Sequence, residues 1–268
     1  MGDQVSPELL PRRLRILGHV GILWLHPQLE AFKELIGQTT LEYDTKIKSV
    51  LRRTDAITGP YRQPAVELIA GSPETETVFN ENRVVFHIDP MKVMFSVGNK
   101  SERLRMSQLG SGEFVVDMFA GIGQLSLPMA VHSRPKIVHA IEWNPDAFNY
   151  LKQNIQANKV SNIIFPYLGD TAVITPTICS NQADRVIMGL IQGTGAYLRQ
   201  GLECICSGGI MHVHEIGPKE DSSAELFSKM QKLSTSMNRS LELVESRIIK
   251  TYSPRYNHFV LDVRVFKG

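Results

Sequence analysis

Cysteine is scarce. Cys179, Cys204 and Cys206 are the only three in 268 residues. They are too few and too unevenly spread for the disulfide framework of a small secreted domain, and they lack the paired spacing of a structural zinc site. They read as buried thiols of a reducing cytoplasm, and no metal is expected. Long apolar runs are also missing: none reaches the ~18–20 residues that cross a bilayer. The chain opens on polar residues leading to Arg12, Arg13 and Arg15, so no secretory leader is expected. There is no internal repeat and no low-complexity run. Net charge is only +2, which neither requires nor forbids a polyanionic partner. What remains is an ordinary globular chain, long enough for a proper core and expected as a cytoplasmic monomer.

The distribution of charge says more than its sum. Arg12, Arg13 and Arg15, then Lys46, Lys48, Arg52, Arg53 and Arg62, concentrate positive charge in the first quarter. Such clusters suit phosphate contacts, and they also suit a solvated face.

The first 99 residues read as a small α+β unit. Residues 14–24 alternate like strand and are broken by glycine. Residues 27–37 open on Pro27, end at Gly37 and carry Leu29, Phe32, Leu35 and Ile36 at helical spacing. Lys46–Leu51 reads as strand, 54–64 as loop, and Val66–Ala70 and Arg83–Ile88 as a hairpin pair around a polar segment. From about residue 100 the character changes. A charged helix over 101–109 leads into strands at 114–117, 137–142, 163–167, 184–188 and 209–214. Helices fall near 122–132, 145–158 and 194–206, and two further strands fall around Ser253-Pro254. Alternation of this kind implies a doubly wound, mostly parallel sheet over residues 100–268.

The most informative stretch is Phe114-Val-Val-Asp-Met-Phe-Ala-Gly-Ile-Gly-Gln-Leu-Ser-Leu-Pro-Met129, followed by Ile137-Val-His-Ala-Ile-Glu142. A strand ends in Asp117, a turn built on Gly121 and Gly123 follows, then a helix, then a strand ending in Glu142. Glycines let backbone approach a ligand closely, and the second acid stands about 20 residues on, where a ribose is held. Ala-Gly-Ile-Gly is not the spaced glycine pattern of dinucleotide binders. The Asp-Met-Phe-Ala-Gly turn resembles the S-adenosylmethionine motif of doubly wound methyltransferases.

Ligands of such sheets sit beyond the carboxyl ends of the strands. Asp117, Glu142, Asp170 and the Met188-Gly189 pair fall there in register. Glu142 is suited to accept two ribose hydroxyls, and Asp170 the exocyclic amine of adenine, with the Thr171 amide nearby. Ser96 and Asn99, in a Ser-x-Gly-Asn turn before a helix carrying Arg103, offer donors for a carboxylate. His212 and His214 share a strand face with Glu215 following. No third ligand at metal spacing accompanies them, and His87 and His258 are isolated.

Taken together, Thr58-Gly-Pro-Tyr-Arg62, Phe95-Ser-Val-Gly-Asn99 with Glu102-Arg103, Asp117-Met-Phe-Ala-Gly-Ile-Gly123, Ile141-Glu142 with Asn144-Pro145, Asn158-Lys-Val160, Asp184-Arg-Val-Ile-Met-Gly189 and Ile249-Lys-Thr-Tyr-Ser-Pro254 with His258 and Asp262 occur in this order. The set resembles the archaeal-type tRNA wybutosine-synthesis aminocarboxypropyltransferases, kin of the tRNA guanine-N1 methyltransferases. The resemblance implies an S-adenosylmethionine site made by Ser96, Arg103, Glu142, Asp170 and Thr171 over the Asp117–Gly123 turn. It implies Asn99, Met188 and Gly189 on the substrate side, and tRNA as partner, with Arg52, Arg53 and Arg62 holding its backbone. The methyltransferases carry an Asn-Leu-Pro-like segment after the fourth strand. Here the segment is Ile187-Met-Gly-Leu190, the form of the aminocarboxypropyl branch. Two places depart from the family pattern: Leu190-Ile-Gln-Gly-Thr-Gly195 replaces a basic, His-containing stretch, and Thr171-Ala172 an Asn-Arg-like pair. No general base is identified; His212, His214 and Glu215 are the nearest candidates. The competing readings are a guanine-N1 methyltransferase and a non-catalytic RNA-binding protein on the same scaffold.

Overall fold

A computed structural model describes residues 6–55, 59, 61–220 and 222–268, Ser222 through its backbone alone. Thr58 and Pro60 of the Thr58–Arg62 segment lie outside the described residues. Two compact units divide between Val97 and Gly98.

In the first unit, a 3-10 turn Pro7–Leu9 precedes β1 (Leu14–Leu17) and β2 (Val20–Trp24). A second 3-10 stretch, Pro27–Phe32, leads into α1 (Lys33–Tyr43), so the helix read over 27–37 starts later and runs further. β3 (Ser49–Arg53) and β4 (Val66–Gly71) complete a four-stranded sheet in the order β1-β2-β3-β4, with β2 and β3 parallel across α1. Gly37 explains the close packing of that crossover: a Cβ there would stand 2.8 Å from that of Ala70. Leu23, Leu25, Leu29, Ile36, Ile47, Val50 and Ile69 form the core between helix and sheet.

The expected pairing of 66–70 with 83–88 is not found. β4 pairs with β3, and β6 (Val84–Ile88) pairs with β5 (Thr77–Glu81), a strand hidden in the polar segment. Asn82 and Arg83, with φ of 49° and 62°, make the tight left-handed turn between them. Arg52 is also not open to a phosphate. Its guanidinium spans Glu30 at 2.6 and 2.9 Å and reaches Glu67 at 2.7 Å through Nε.

A 3-10 turn Val97–Asn99 runs across the division, and α2 (Lys100–Met106) is the first helix of the second unit. There follow β7 (Phe114–Asp117), α3 (Ser126–His132), β8 (Ile137–Glu142), α4 (Pro145–Ala157) and β9 (Ile164–Leu168). Next come α5 (Thr171–Ile178), β10 (Ala183–Met188), α6 (Leu198–Cys204) and β11 (Ile205–Pro218). The chain closes with α7 (Ser222–Ser236), β12 (Arg239–Thr251) and β13 (Tyr256–Lys267). The strand order is β12-β13-β11-β10-β7-β8-β9. Neighbours are parallel from β9 to β11, and β13 inserts antiparallel between β11 and β12. The order reverses between β7 and β10, the crevice where open sheets of this class take ligands.

One face of the sheet packs Val116, Met188, Met211, Val213 and Leu261 against α6 and α7, through residues such as Leu202, Leu226 and Met230. Asp117, Arg185, His212 and Asp262 occupy the opposite face by strand alternation. Cys179 and Cys204 are buried thiols, Cys179 donating to the Cys204 carbonyl at 3.2 Å. Cys206, expected buried, is partly exposed because it stands at the strand's outer end. Among the described residues no helix is long and apolar enough to cross a membrane, and no cluster of side chains suits a metal ion.

Candidate cofactor and substrate site

β7, β8 and β9 lie side by side and parallel, Asp117 and Glu142 ending the first two and Asp170 following the third by two residues. The turn after β7 is fixed to its neighbours: the Met118 amide donates to the Ile187 carbonyl at 2.9 Å and the Ala120 amide to that of Ile141 at 2.9 Å. Gly121 and Gly123 have φ of 58° and 93°, which favours glycine at both. They serve different ends. A Cβ on Gly123 would strike the Leu127 side chain at 2.5 Å, so that glycine admits the helix. A Cβ on Gly121 would meet only Gln124, at 3.6 Å, so that glycine leaves the space above the turn open.

Glu142 closes this turn. Its Oε2 accepts from the Gly121 amide at 2.7 Å and its Oε1 from the Asn144 amide at 2.7 Å. Burial pushes the carboxyl above its ordinary pKa, against the pull of these amides. Asp117 is buried beneath the turn. Its Oδ1 accepts from the Phe119 amide at 3.3 Å and its Oδ2 has no hydrogen-bond partner. Burial, reinforced by the charge of Glu142, raises its pKa to about 7.

Asp170 caps α5, its Oδ1 accepting from the Ala172 amide at 2.8 Å. Thr171 is buried with its hydroxyl 2.9 Å from that of Thr175, so it faces the helix through its side chain. Met188 lies wholly in the core beside Gly201, so only its backbone and Gly189 face the crevice end of β10. Asn99 precedes α2, its Oδ1 buried with no hydrogen-bond partner. Arg103 is buried on α2, in the same unit as the acids, whereas Ser96 belongs to the first unit.

Three aromatic residues escaped the sequence reading. Trp143 directly follows Glu142 and is partly exposed. Phe119 and Tyr197 meet edge to face with ring centroids 5.1 Å apart. Burial and the nearby charge of Asp170 raise the Tyr197 phenol. Phe119 and Trp143 each lie within two residues of a strand-end acid, a signal that could have flagged them.

The histidines on β11 are not open bases. His212 is 1 % exposed. Its Nδ1 stands 2.6 Å from Asp262 and its Nε2 2.5 Å from Arg185. One tautomer satisfies both: Nδ1–H donates to the carboxylate and Nε2 accepts from the guanidinium. Burial lowers the His212 pKa despite Asp262. For Asp262, the opposing effect of burial is outweighed by His212, Arg105 and Arg247, and its pKa falls. His214 Nδ1 lies 3.0 Å from His258 Nε2, and burial drives both pKa values down to about 3. Glu102, also 1 % exposed, accepts from Arg247 at 2.8 Å and from Arg105 at 3.4 Å. This buried chain of charges fastens α2 to β11, β12 and β13. Glu215, half-buried with a raised pKa due to burial, accepts from the Ile216 amide at 3.0 Å.

An acid at the end of each of the first two strands, an open glycine turn between them and a capped helix after the third fit a nucleoside bearing a 2′,3′-diol. A profile of the TRM5/TYW2 methyltransferase domain matches residues 77–243, and one of the TYW2 N-terminal domain matches residues 2–75. The chain belongs to the TRM5/TYW2 family. A tRNA(Phe) (4-demethylwyosine(37)-C(7)) aminocarboxypropyltransferase from Pyrococcus horikoshii is 38% identical, the match covering 97% of this chain and 92% of the relative. The tRNA (guanine(37)-N(1))-methyltransferase Trm5b of Pyrococcus abyssi is 33% identical over 96% of this chain and 76% of that protein. The crystal structure of P. horikoshii TYW2 in complex with MeSAdo superposes with a TM-score of 0.85 at 36% identity, covering 97% of this chain and 93% of the other. The TRM5/TYW2 sheet with its smaller N-terminal unit is thus the architecture seen here.

Proposed function

We propose that this member of the TRM5/TYW2 family transfers the 3-amino-3-carboxypropyl group of S-adenosylmethionine to a demethylwyosine-type guanosine beside the anticodon of tRNA(Phe), in the cytoplasm. The observation that carries the reading is the match over nearly the full length of a relative named for that reaction. The Ile187-Met-Gly-Leu190 segment supports it over the guanine-N1 methyltransferase reading. S-adenosylmethionine supplies a sulfonium that activates three carbons, and orientation decides which one faces the nucleophile.

Glu142 takes the ribose hydroxyls: each carboxylate oxygen accepts one backbone amide and keeps a second lone pair for a hydroxyl. Asp170 and the Thr171 amide address the adenine edge. Arg103 holds the methionine carboxylate, where a planar guanidinium gives a bidentate grip that fixes the chain's direction. The backbone of Met188 and Gly189, with Asn99, faces the base. Asp117 and the 121–123 turn lie beneath the cofactor and exclude water from its underside.

Two separately labelled forms of the cofactor test this reading. Label in the carboxyl carbon should pass to tRNA carrying the tricyclic precursor, and label in the methyl group should not. Methyl transfer alone would overturn the assignment.

A further inference from the structure

The sheet of the first unit has two chemically different faces at one end. β2 and β3 pair Leu23 with Arg52 and Trp24 with Arg53. Alternation sends these two pairs to opposite sides. Leu23 belongs to the core under α1, and Arg52 on that side is neutralised by Glu30 and Glu67. Trp24 and Arg53 therefore face away from α1. On that same face Arg15 stands opposite Ile22, one strand over, and Arg13, just before β1, is near enough for its charge to act on Arg15.

Here the charge is of one sign. Burial and the cations Arg53 and Arg13 together disfavour the charged form of Arg15, and among the described residues no carboxylate offsets them. Beside these arginines the Trp24 indole is 62 % exposed, edge-on to His26 with ring centroids 6.4 Å apart. An exposed tryptophan alone is unremarkable on a protein surface. A flat aromatic face beside three uncompensated arginines is the combination that holds a strand of phosphates with an unstacked base. An acidic polypeptide would satisfy the arginines and leave the indole without a stacking partner.

We propose that Arg13, Arg15, Arg53 and Trp24 form an RNA-docking face of the N-terminal unit, the arginines on phosphates and the indole stacked on an unpaired base. The proposal rests on the reading that the substrate is RNA, and of the expected Arg52, Arg53 and Arg62 it keeps Arg53 alone, with Arg13 and Arg15 in place of the other two.

The test uses the full chain. Affinity for a tRNA transcript is measured across a salt series for Arg15→Glu/Arg53→Glu, Trp24→Ala and Trp24→Phe, with S-adenosylmethionine affinity measured in parallel by calorimetry. The double charge reversal should weaken tRNA binding more than tenfold and flatten the slope of log affinity against log salt by about 1.4, two contacts at ~0.7 each. Trp24→Ala should cost about tenfold, and Trp24→Phe should restore most of it. Cofactor affinity should not change; where the reversal disturbs it, Arg15→Gln/Arg53→Gln makes the same comparison. Unchanged tRNA affinity and slope would overturn the proposal. So would polyglutamate binding as tightly as RNA with the same sensitivity to Trp24→Ala. Absence of cofactor binding by the wild type, with tRNA binding still dependent on these residues, would defeat the transfer reading and leave this face standing.

Discussion

Glu142 and Gly121 are joined by a 2.7 Å hydrogen bond from the glycine amide to Oε2, which ties the end of β8 to the turn after β7. The same carboxylate holds the Asn144 amide at 2.7 Å. Two strand ends and the start of α4 are thus locked by one side chain before any ligand arrives. Pre-forming the site in this way reduces the ordering cost of binding.

Replacing Glu142 by Gln tests that double role. An amide side chain can accept from only one of the two backbone N–H groups, and its NH2 opposes the other. S-adenosylmethionine affinity should drop by about 10- to 100-fold, the size of one or two hydrogen bonds to a charged group. Calorimetric titration checks this, with the fold retained by circular dichroism. Wild-type affinity in the variant would refute the ribose role.

Asp117 makes stability depend on pH with a definite sign. Its carboxyl keeps its proton up to about pH 7 in the folded protein, against 3.8 for the free group. Between those values the native state holds the extra proton. The contribution of Asp117 to stability therefore falls as pH rises from about 4 to 7 and is flat above. Asp117→Asn should gain on the wild type across that window, by at most ~1.4 kcal/mol per pH unit. Urea unfolding of both proteins at several pH values measures the difference, and a constant difference would contradict the burial argument.

The His214–His258 pair has the opposite sign. Both groups titrate at about 3 when folded and at 6.5 when free. Their contribution is present above pH 6.5 and is lost as pH falls toward 3, because the unfolded chain takes up the protons. His214→Leu/His258→Leu replaces both partners by apolar groups, so no ring nitrogen is left unpaired. That variant should lose less stability than the wild type on acidification from pH 6.5 to 4. Parallel acid sensitivity of the two proteins would show that the pair does not titrate between them.

Asp262 is the acceptor shared by His212, Arg105 and Arg247. Asp262→Ala leaves the buried His212 without its acceptor, while Arg105 and Arg247 keep Glu102, and it should cost ~1–3 kcal/mol in urea unfolding at pH 7. A loss under ~1 kcal/mol would mean that the network is not a fastening for α2.

The parallel part of the sheet unit was legible because β7, β8, β9 and β10 are short apolar runs ended by turn residues, and the acids at or just after the ends of the first three stand together in the sheet. α5 was not. Thr171, Val173, Ile174, Thr175, Thr177 and Ile178 are β-branched, and Pro176 lies inside the helix. Local propensity opposes it, and the Asp170 cap with sheet packing overrides that preference. α7 did carry a signal, with Leu226 and Met230 buried one turn apart, and that spacing went unread. β5 was hidden because its apolar run is only Val78 and Phe79, flanked by polar and acidic residues of the loop before it and by Asn80 and Glu81 at its end. The His212–Asp262–Arg105 network joins residues more than 150 positions apart in chain number, which no local pattern can announce. Arg52 looked the same as Arg53 in sequence; only strand alternation separates the ion-paired residue from the uncompensated one.

The most direct test of the central claim is the small-molecule product formed from S-adenosylmethionine on turnover with tRNA carrying the tricyclic precursor, identified by mass. Methylthioadenosine, in equal amount to modified tRNA, is the predicted result. S-adenosylhomocysteine would make the protein a methyltransferase and contradict the reading of Met188-Gly189.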